Sequence, residues 1–227
     1  MIRVMRKSFM DYQALVLDMD GTLYYQLPVR VWMFLSLIAH YVVRPHKLRE
    51  LLLLREYRKL REQRAFSESN DIDQSQLAFL AEKYQITIES AGEIIEHWMQ
   101  DSAQGALAIA RDKTLISLAT QFKDNGGILI IYSDYPIQKK LQAIGLVTDY
   151  TFHSGDPTIQ CMKPDKKGME SIMNIVGLGA DDMLFIGDRY DRDGLCAAAV
   201  NMDYLILDKG MIARHRKVYR VVLGNLG

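Results

Sequence analysis

Two carboxylates one residue apart, Asp18 and Asp20, close the apolar run "ALVL" and are followed at once by Gly21 and Thr22. Left unpaired at the end of a buried strand, they would repel each other and lose solvation. Two readings meet that difficulty. One is an acidic turn, with Asp and Gly supplying turn chemistry; the other is a cation site with a carboxylate nucleophile. Other apolar runs also end in reactive side chains. "ILIIYS" brings Ser133, "DMLFIGDRYDRD" brings Asp188 and Asp193, and Lys163 stands just before a proline-started helical pattern, "PDKKGMESIMNIV". Oxygen ligands from Asp18 and Asp188 suit Mg²⁺, which takes octahedral oxygen coordination and keeps waters. Such an ion would relieve the repulsion and neutralise an incoming phosphate. Lys163 adds positive charge and Ser133 a hydroxyl donor, and donors placed around developing charge are what phosphoryl transfer chiefly needs.

Residues so far apart in sequence need a scaffold that gathers them. From Arg111 onward, helix-like and strand-like segments alternate: strands at "ILIIYS", "DYTFHS", "DMLFIGD" and "MDYLILD", with helical patterns between them. That alternation predicts a largely parallel sheet, to which "ALVL" belongs by character. The carboxyl ends of its strands converge on one crevice. Residues 24–105 differ, showing no convincing strand and a nearly continuous helical pattern. Asp71 reads as one helix cap, and Ser90 with Glu93 as a capping box. The expected fold is a doubly wound, Rossmann-like α/β core, residues 1–23 and 106–227, with an inserted all-helical cap, residues 24–105.

The totals exclude some classes. The 227 residues are 49% hydrophobic and 25% charged with zero formal net charge, so nothing predicts nucleic-acid binding. The basic start lacks a long apolar core and cleavage site, which predicts no signal peptide. Cys161 and Cys196 have no metal-ligand spacing and read as reduced thiols of a cytoplasmic protein. The apolar residues 31–43 lie between Arg30 and Arg44 and, at 13 residues, fall short of the ~20 a membrane span requires. They predict a buried helix, with peripheral membrane contact the alternative, because a basic stretch follows. That stretch, residues 44–64, has eight Lys or Arg against three Glu. It reads as the solvated face of a cap helix or as a surface that steers an anion.

"DMDGT", a serine after an apolar strand, a lysine before a helix and "GDRYDRD" come in the order of the four motifs of the haloacid dehalogenase-like superfamily, which the chain resembles over residues 11–23 and about 106–208. The helical segment occupies the place of that family's cap, as in phosphoglycolate phosphatases. The resemblance implies that Asp18 attacks phosphorus to give an aspartyl-phosphate. Asp20 would protonate the leaving oxygen and then activate water, while its backbone carbonyl ligates Mg²⁺. Ser133 and Lys163 would hold the phosphoryl group, supported by Thr22 and the Asp134 amide. Asp188 would complete the metal site with Asp193 as ligand or supporting partner; Asp191 is a third acid, though the family's spacing favours Asp193. Dehalogenases of the superfamily lack the second aspartate, so Asp20 points to phosphoryl chemistry on a small phosphorylated metabolite. A phosphomutase and a non-catalytic binding protein are the alternatives.

Overall fold

The computed structural model describes residues 5–66, 69, 71–210 and 214. Five strands, β1 (Ala14–Leu17), β2 (Ile128–Ser133), β3 (Tyr150–His153), β4 (Met183–Gly187) and β5 (Asp203–Ile206), form one sheet in the order β3-β2-β1-β4-β5. Every pairing is parallel. The described helices are α1 (Gln26–Val43), α2 (Arg49–Glu62), α3 (Ile72–Tyr84), α4 (Ile88–Glu96), α5 (Gln104–Ala110), α6 (Lys113–Asp124), α7 (Gln138–Ile144), α8 (Lys166–Val176) and α9 (Leu195–Ala199). Strands β1, β2 and β4 lack polar alternation because both faces of the sheet are covered there. Leu15 and Leu17 share a layer with Leu129, Ile131, Leu184 and Ile186, closed by α6 and α7. Ala14 and Val16 face the other layer with Ile130, Tyr132 and Phe185, closed by α8 and α9. The period of two along each strand divides these sets.

Helices α1 to α4 make a helical cap, whose own core gathers Leu53, Tyr57, Leu80, Ala91, Ile95 and Trp98, while Ala106, Leu107 and Ala110 of α5 pack into the layer of Leu15 and Leu17. The chain enters and leaves the cap by adjacent segments, for the Tyr25 amide donates to the Ala110 carbonyl at 2.9 Å and the Asp112 amide to the Leu23 carbonyl at 2.8 Å. Asp71 caps α3 by accepting from the Gln74 amide. The capping box expected at Ser90 is displaced by a turn. Thr87 is the cap and accepts from the Ser90 amide at 3.1 Å, which puts Ser90 inside the first turn of α4.

Residues 31–43 do not form a buried helix. They belong to α1, and Phe34 (62%), Leu35 (58%) and Val42 (74%) are exposed, as is Leu27 (74%). Only one stripe is covered: Val29 is buried, Tyr41 stacks on Trp98, and Met33 packs against the core. A helix at the rim of a small helical layer has neighbours on one side, here α5 and the Trp98 region, and its other side meets solvent.

Polar contacts seat the cap over the strand ends. The Arg61 guanidinium is buried, donates to the Asp134 carbonyl at 3.2 Å and pairs with Asp73. Arg192 donates to the carbonyls of Lys163 at 2.7 Å and Glu62 at 2.8 Å. His153, at the end of β3, lies with Nε2 3.1 Å from Asp73 and Nδ1 2.6 Å from Asp156. Burial opposes the charge of this imidazole, yet Asp156 and Asp73 prevail and raise its pKa to about 9. A raised folded-state value means stabilisation fully present below about 6.5 and lost as pH climbs through the folded pKa. Discounted for partial solvent screening, the contribution is ~1 kcal/mol, equivalent to about 2–4 °C in Tm for a chain of this size. His153→Gln is therefore expected to melt lower than wild type at pH 7 and alongside it at pH 10, read by thermal denaturation.

Candidate active site

Asp18 follows β1, Asp188 follows β4, and Asp193 lies in the wide turn Tyr190–Gly194 that leads into α9. Their carboxylate oxygens lie within 4.8 Å of one another, and all three side chains are buried. The backbone at Gly21 passes close by with φ +97°, and a Cβ there would stand 2.5 Å from Asp188 Oδ2 and 2.6 Å from Gln26 Nε2. Only glycine fits. Lys163 Nζ donates to Asp18 Oδ1 and Asp193 Oδ1, each at 2.6 Å, and to the Tyr132 carbonyl at 3.3 Å. Burial works against its charge, but Asp18 and Asp193 hold its pKa well above the ordinary lysine value. One ammonium cannot balance three carboxylates. Burial, offset in part by Lys163 and reinforced by Asp193 and Asp188, pushes Asp18 well above the usual carboxylate range. Burial and Asp193 push Asp188 up to about 6. Three buried carboxylates gathered around one ammonium make an all-oxygen set that fits a hard divalent cation such as Mg²⁺. Asp191, by contrast, is exposed and pairs with Arg189 at 2.7 Å.

The Asp20 carboxylate stands apart from the trio. It accepts from Lys140 Nζ at 2.6 and 2.8 Å and from the Tyr24 hydroxyl at 2.5 Å. Its burial favours the neutral acid, but Lys140 and Tyr24 outweigh that and lower its pKa. The Asp20 carbonyl, expected as a metal ligand, accepts from Gln26 Nε2 at 2.8 Å; a carbonyl has a second lone pair available. The buried Thr22 hydroxyl donates to Asp18 Oδ2 at 3.1 Å and fixes the carboxylate plane. Ser133 is buried beside the cavity, and its Oγ accepts from the Tyr135 amide at 3.1 Å. The Asp134 side chain turns from the cavity toward the scaffold, accepting from the Ser154 hydroxyl and the Lys163 amide, each at 2.9 Å. It ties the lysine loop to β2.

These groups line a cavity of about 680 Å³ between sheet and cap, within the ordinary range for small-molecule sites. The cap contributes Arg30, Arg58 and Arg61 to its wall, and the core Lys140 and Lys209. Lys140 and Arg61 were not singled out from sequence, yet each left a signal. Lys140 shares the buried stripe of Ile137, Leu141 and Ile144, and Arg61 that of Leu53, Leu54, Tyr57 and Leu60. A charged residue on an apolar stripe needs a buried partner. Arg61 accordingly is not part of a solvated face.

A family model described as haloacid dehalogenase-like hydrolase matches residues 12–201. Among solved structures, a 2-haloacid dehalogenase from Pseudomonas syringae pv. tomato is 15% identical, with 86% of each chain covered and a TM-score of 0.61. A HAD phosphatase from Thermococcus onnurineus is 20% identical, covering 94% of this chain and 98% of its own, with a TM-score of 0.58. The HAD-hydrolase YfnB from Bacillus subtilis, bound to magnesium, is 16% identical, covering 93% and 99%, with a TM-score of 0.60. A comparison with curated proteins finds no match. These likenesses show the fold, and the family match covers most of the chain. With its four motifs gathered at the ends of a parallel sheet beneath a helical cap, the chain belongs to the haloacid dehalogenase-like hydrolases.

Proposed function

We propose that this hydrolase is a Mg²⁺-dependent phosphatase that acts on a small phosphorylated metabolite through an aspartyl-phosphate. The carrying observation is Asp20, a second carboxylate facing the same cavity as Asp18 but held on partners of its own. Displacing halide from carbon releases an anion that needs no proton, so that chemistry has no use for it. Cleaving a phosphomonoester leaves an alkoxide oxygen, and a proton at Asp20 answers that need. Asp18 attacks phosphorus as the P–O bond to the leaving oxygen breaks, and Asp20 delivers the proton. Asp20, now a base, removes a proton from water that attacks the aspartyl-phosphate and frees Asp18 and inorganic phosphate. Thr22 and Lys163 orient Asp18 meanwhile. Asp18, Asp188 and Asp193 would hold the cation, which supplies charge neutralisation for the phosphoryl oxygens. Arg30, Arg58 and Lys209 favour an anionic substrate. The likeness to a magnesium-bound hydrolase and to a HAD phosphatase supports this reading.

The test is phosphate release from a broad panel of phosphorylated metabolites, with Mg²⁺ and with chelator. Metal-dependent release is expected. Halide release from 2-haloacids without phosphate release, or isomerised hexose phosphate in place of free phosphate, would overturn it. Binding alone makes a separate prediction. Saturating Mg²⁺, at a hundredfold over its Kd, stabilises by about 2.7 kcal/mol, a rise of about 5–10 °C in Tm. Asp188→Asn is expected to lose that rise while melting no lower than wild type without metal, since one of three crowded charges is gone.

A further inference from the structure

The outer face of α1 is not absorbed by the proposed function. Leu27, Val31, Phe34, Leu35, Ile38 and Val42 recur at helical spacing, and each is 46–74% exposed. Trp32 stands half-exposed beside them, with its indole N–H 3.3 Å from the Ser102 carbonyl. Leu48 and Leu52 continue the apolar surface past the end of the helix, at 50% and 55% exposure. Among the described residues nothing covers this face. A contiguous apolar strip of this kind marks an interaction surface.

Charge decides what it meets. From Gln26 to Arg49 there is no Asp or Glu, and Arg44, Lys47 and Arg49 stand exposed at the end of this stretch, Lys47 3.4 Å from Glu50. We propose that the outer face of α1 docks on an anionic lipid bilayer surface. Its apolar residues enter the headgroup boundary, and the basic groups that follow its C-terminal end meet lipid phosphates. A second copy of the chain fits less well. Paired with itself, α1 sets its basic ends together if parallel and gives them no acidic partner if antiparallel, since residues 26–49 hold no Asp or Glu. Spanning is ruled out by the inner face. Gln26, Val29, Arg30 and Met33 line the cavity, Gln26 bonds the Asp20 carbonyl and Tyr41 stacks on Trp98, so both halves of the helix are bound to the fold. It lies on the bilayer, and one helix presents the catalytic cavity on one side and the lipid on the other. This docking does not rest on the phosphatase reading.

Cosedimentation of the full chain with vesicles tests it directly. Strong binding is expected to vesicles of phosphatidylglycerol mixed with phosphatidylcholine, and little to phosphatidylcholine alone. Raising sodium chloride should weaken it, as screening demands. Phe34→Asp with Ile38→Asp is expected to lower partitioning at least tenfold while leaving far-UV circular dichroism and Tm unchanged, because both side chains are exposed. Arg44→Gln with Lys47→Gln is expected to lower it by ~25-fold, at about fivefold for each basic residue removed. Equal binding to both vesicle types, no binding at all, or full binding by the Phe34 and Ile38 double variant would each overturn the proposal. So would a dimer by analytical ultracentrifugation that the same double variant dissociates. Vesicle binding that appears only after removal of residues 215–227 would assign the face to the chain's own tail.

Discussion

Asp18→Asn is expected to abolish phosphate release, lowering kcat by ~10⁴-fold or more, the scale on which loss of a nucleophile acts. The amide has the shape of the carboxylate but no charge to direct at phosphorus, so neither the P–O bond nor the covalent intermediate forms. Unfolding cannot account for such a loss. Asp18 is one of three buried acids sharing one lysine, and its pKa is already driven up by burial and by Asp193 and Asp188. Removing its charge relieves repulsion, and Lys163 keeps Asp193 and the Tyr132 carbonyl as partners. The variant should melt no lower than wild type. Phosphate release is to be assayed with Mg²⁺, beside a quench experiment for phosphate held covalently on the protein. Wild type should give an acid-stable, base-labile acyl phosphate, and Asp18→Asn none. Activity within tenfold of wild type would mean that water attacks phosphorus directly and that Asp18 serves only as a ligand.

Much of this arrangement is legible in the sequence because parallel strands buried on both faces leave an unmistakable pattern, a short apolar run with no alternation. Ala14 to Leu17, Ile128 to Ile131 and Met183 to Ile186 all show it, and the polar residue at each carboxyl end is then placed by topology alone. The helical segment is harder, since a helix reveals which residues share a face but not whether that face has a neighbour. Residues 31–43 are apolar all round, which reads as burial, yet α1 packs on one side only. Conversely, Arg61 belongs to a basic run that reads as solvated, yet it is buried beneath Tyr57 and reaches the Asp134 carbonyl. In both cases the deciding fact is a partner distant in sequence. Lys140 is the same: its acceptor, Asp20, lies 120 residues away. Local periodicity marks such residues as misplaced without saying what they meet.

Asp20→Asn is expected to reduce kcat by about 10²–10⁴-fold, the usual contribution of a positioned acid or base. The intermediate should persist, because Asp18 remains to attack while nothing is left to deprotonate the water that hydrolyses it. Phosphoprotein would therefore accumulate in Asp20→Asn and not in Asp18→Asn, a contrast that assigns the two carboxylates without relying on rates alone. Lys140 sets the protonation of Asp20 in the resting site: burial favours the neutral acid, and the paired ammonium reverses that and lowers the pKa. The resting carboxylate is thus ready as the base for water. To act first as an acid it must take up a proton when a phosphate dianion enters, since a like charge alongside raises its proton affinity. Lys140→Gln leaves Tyr24 as a donor but removes the charge, so burial prevails and the pKa of Asp20 rises. A base protonated at higher pH is lost sooner as pH falls, and the acid limb of the kcat profile should move upward in that variant. A uniform drop in kcat with an unmoved limb would reduce Lys140 to packing. A moved limb with Tm preserved would make it the group that fixes when Asp20 can accept a proton.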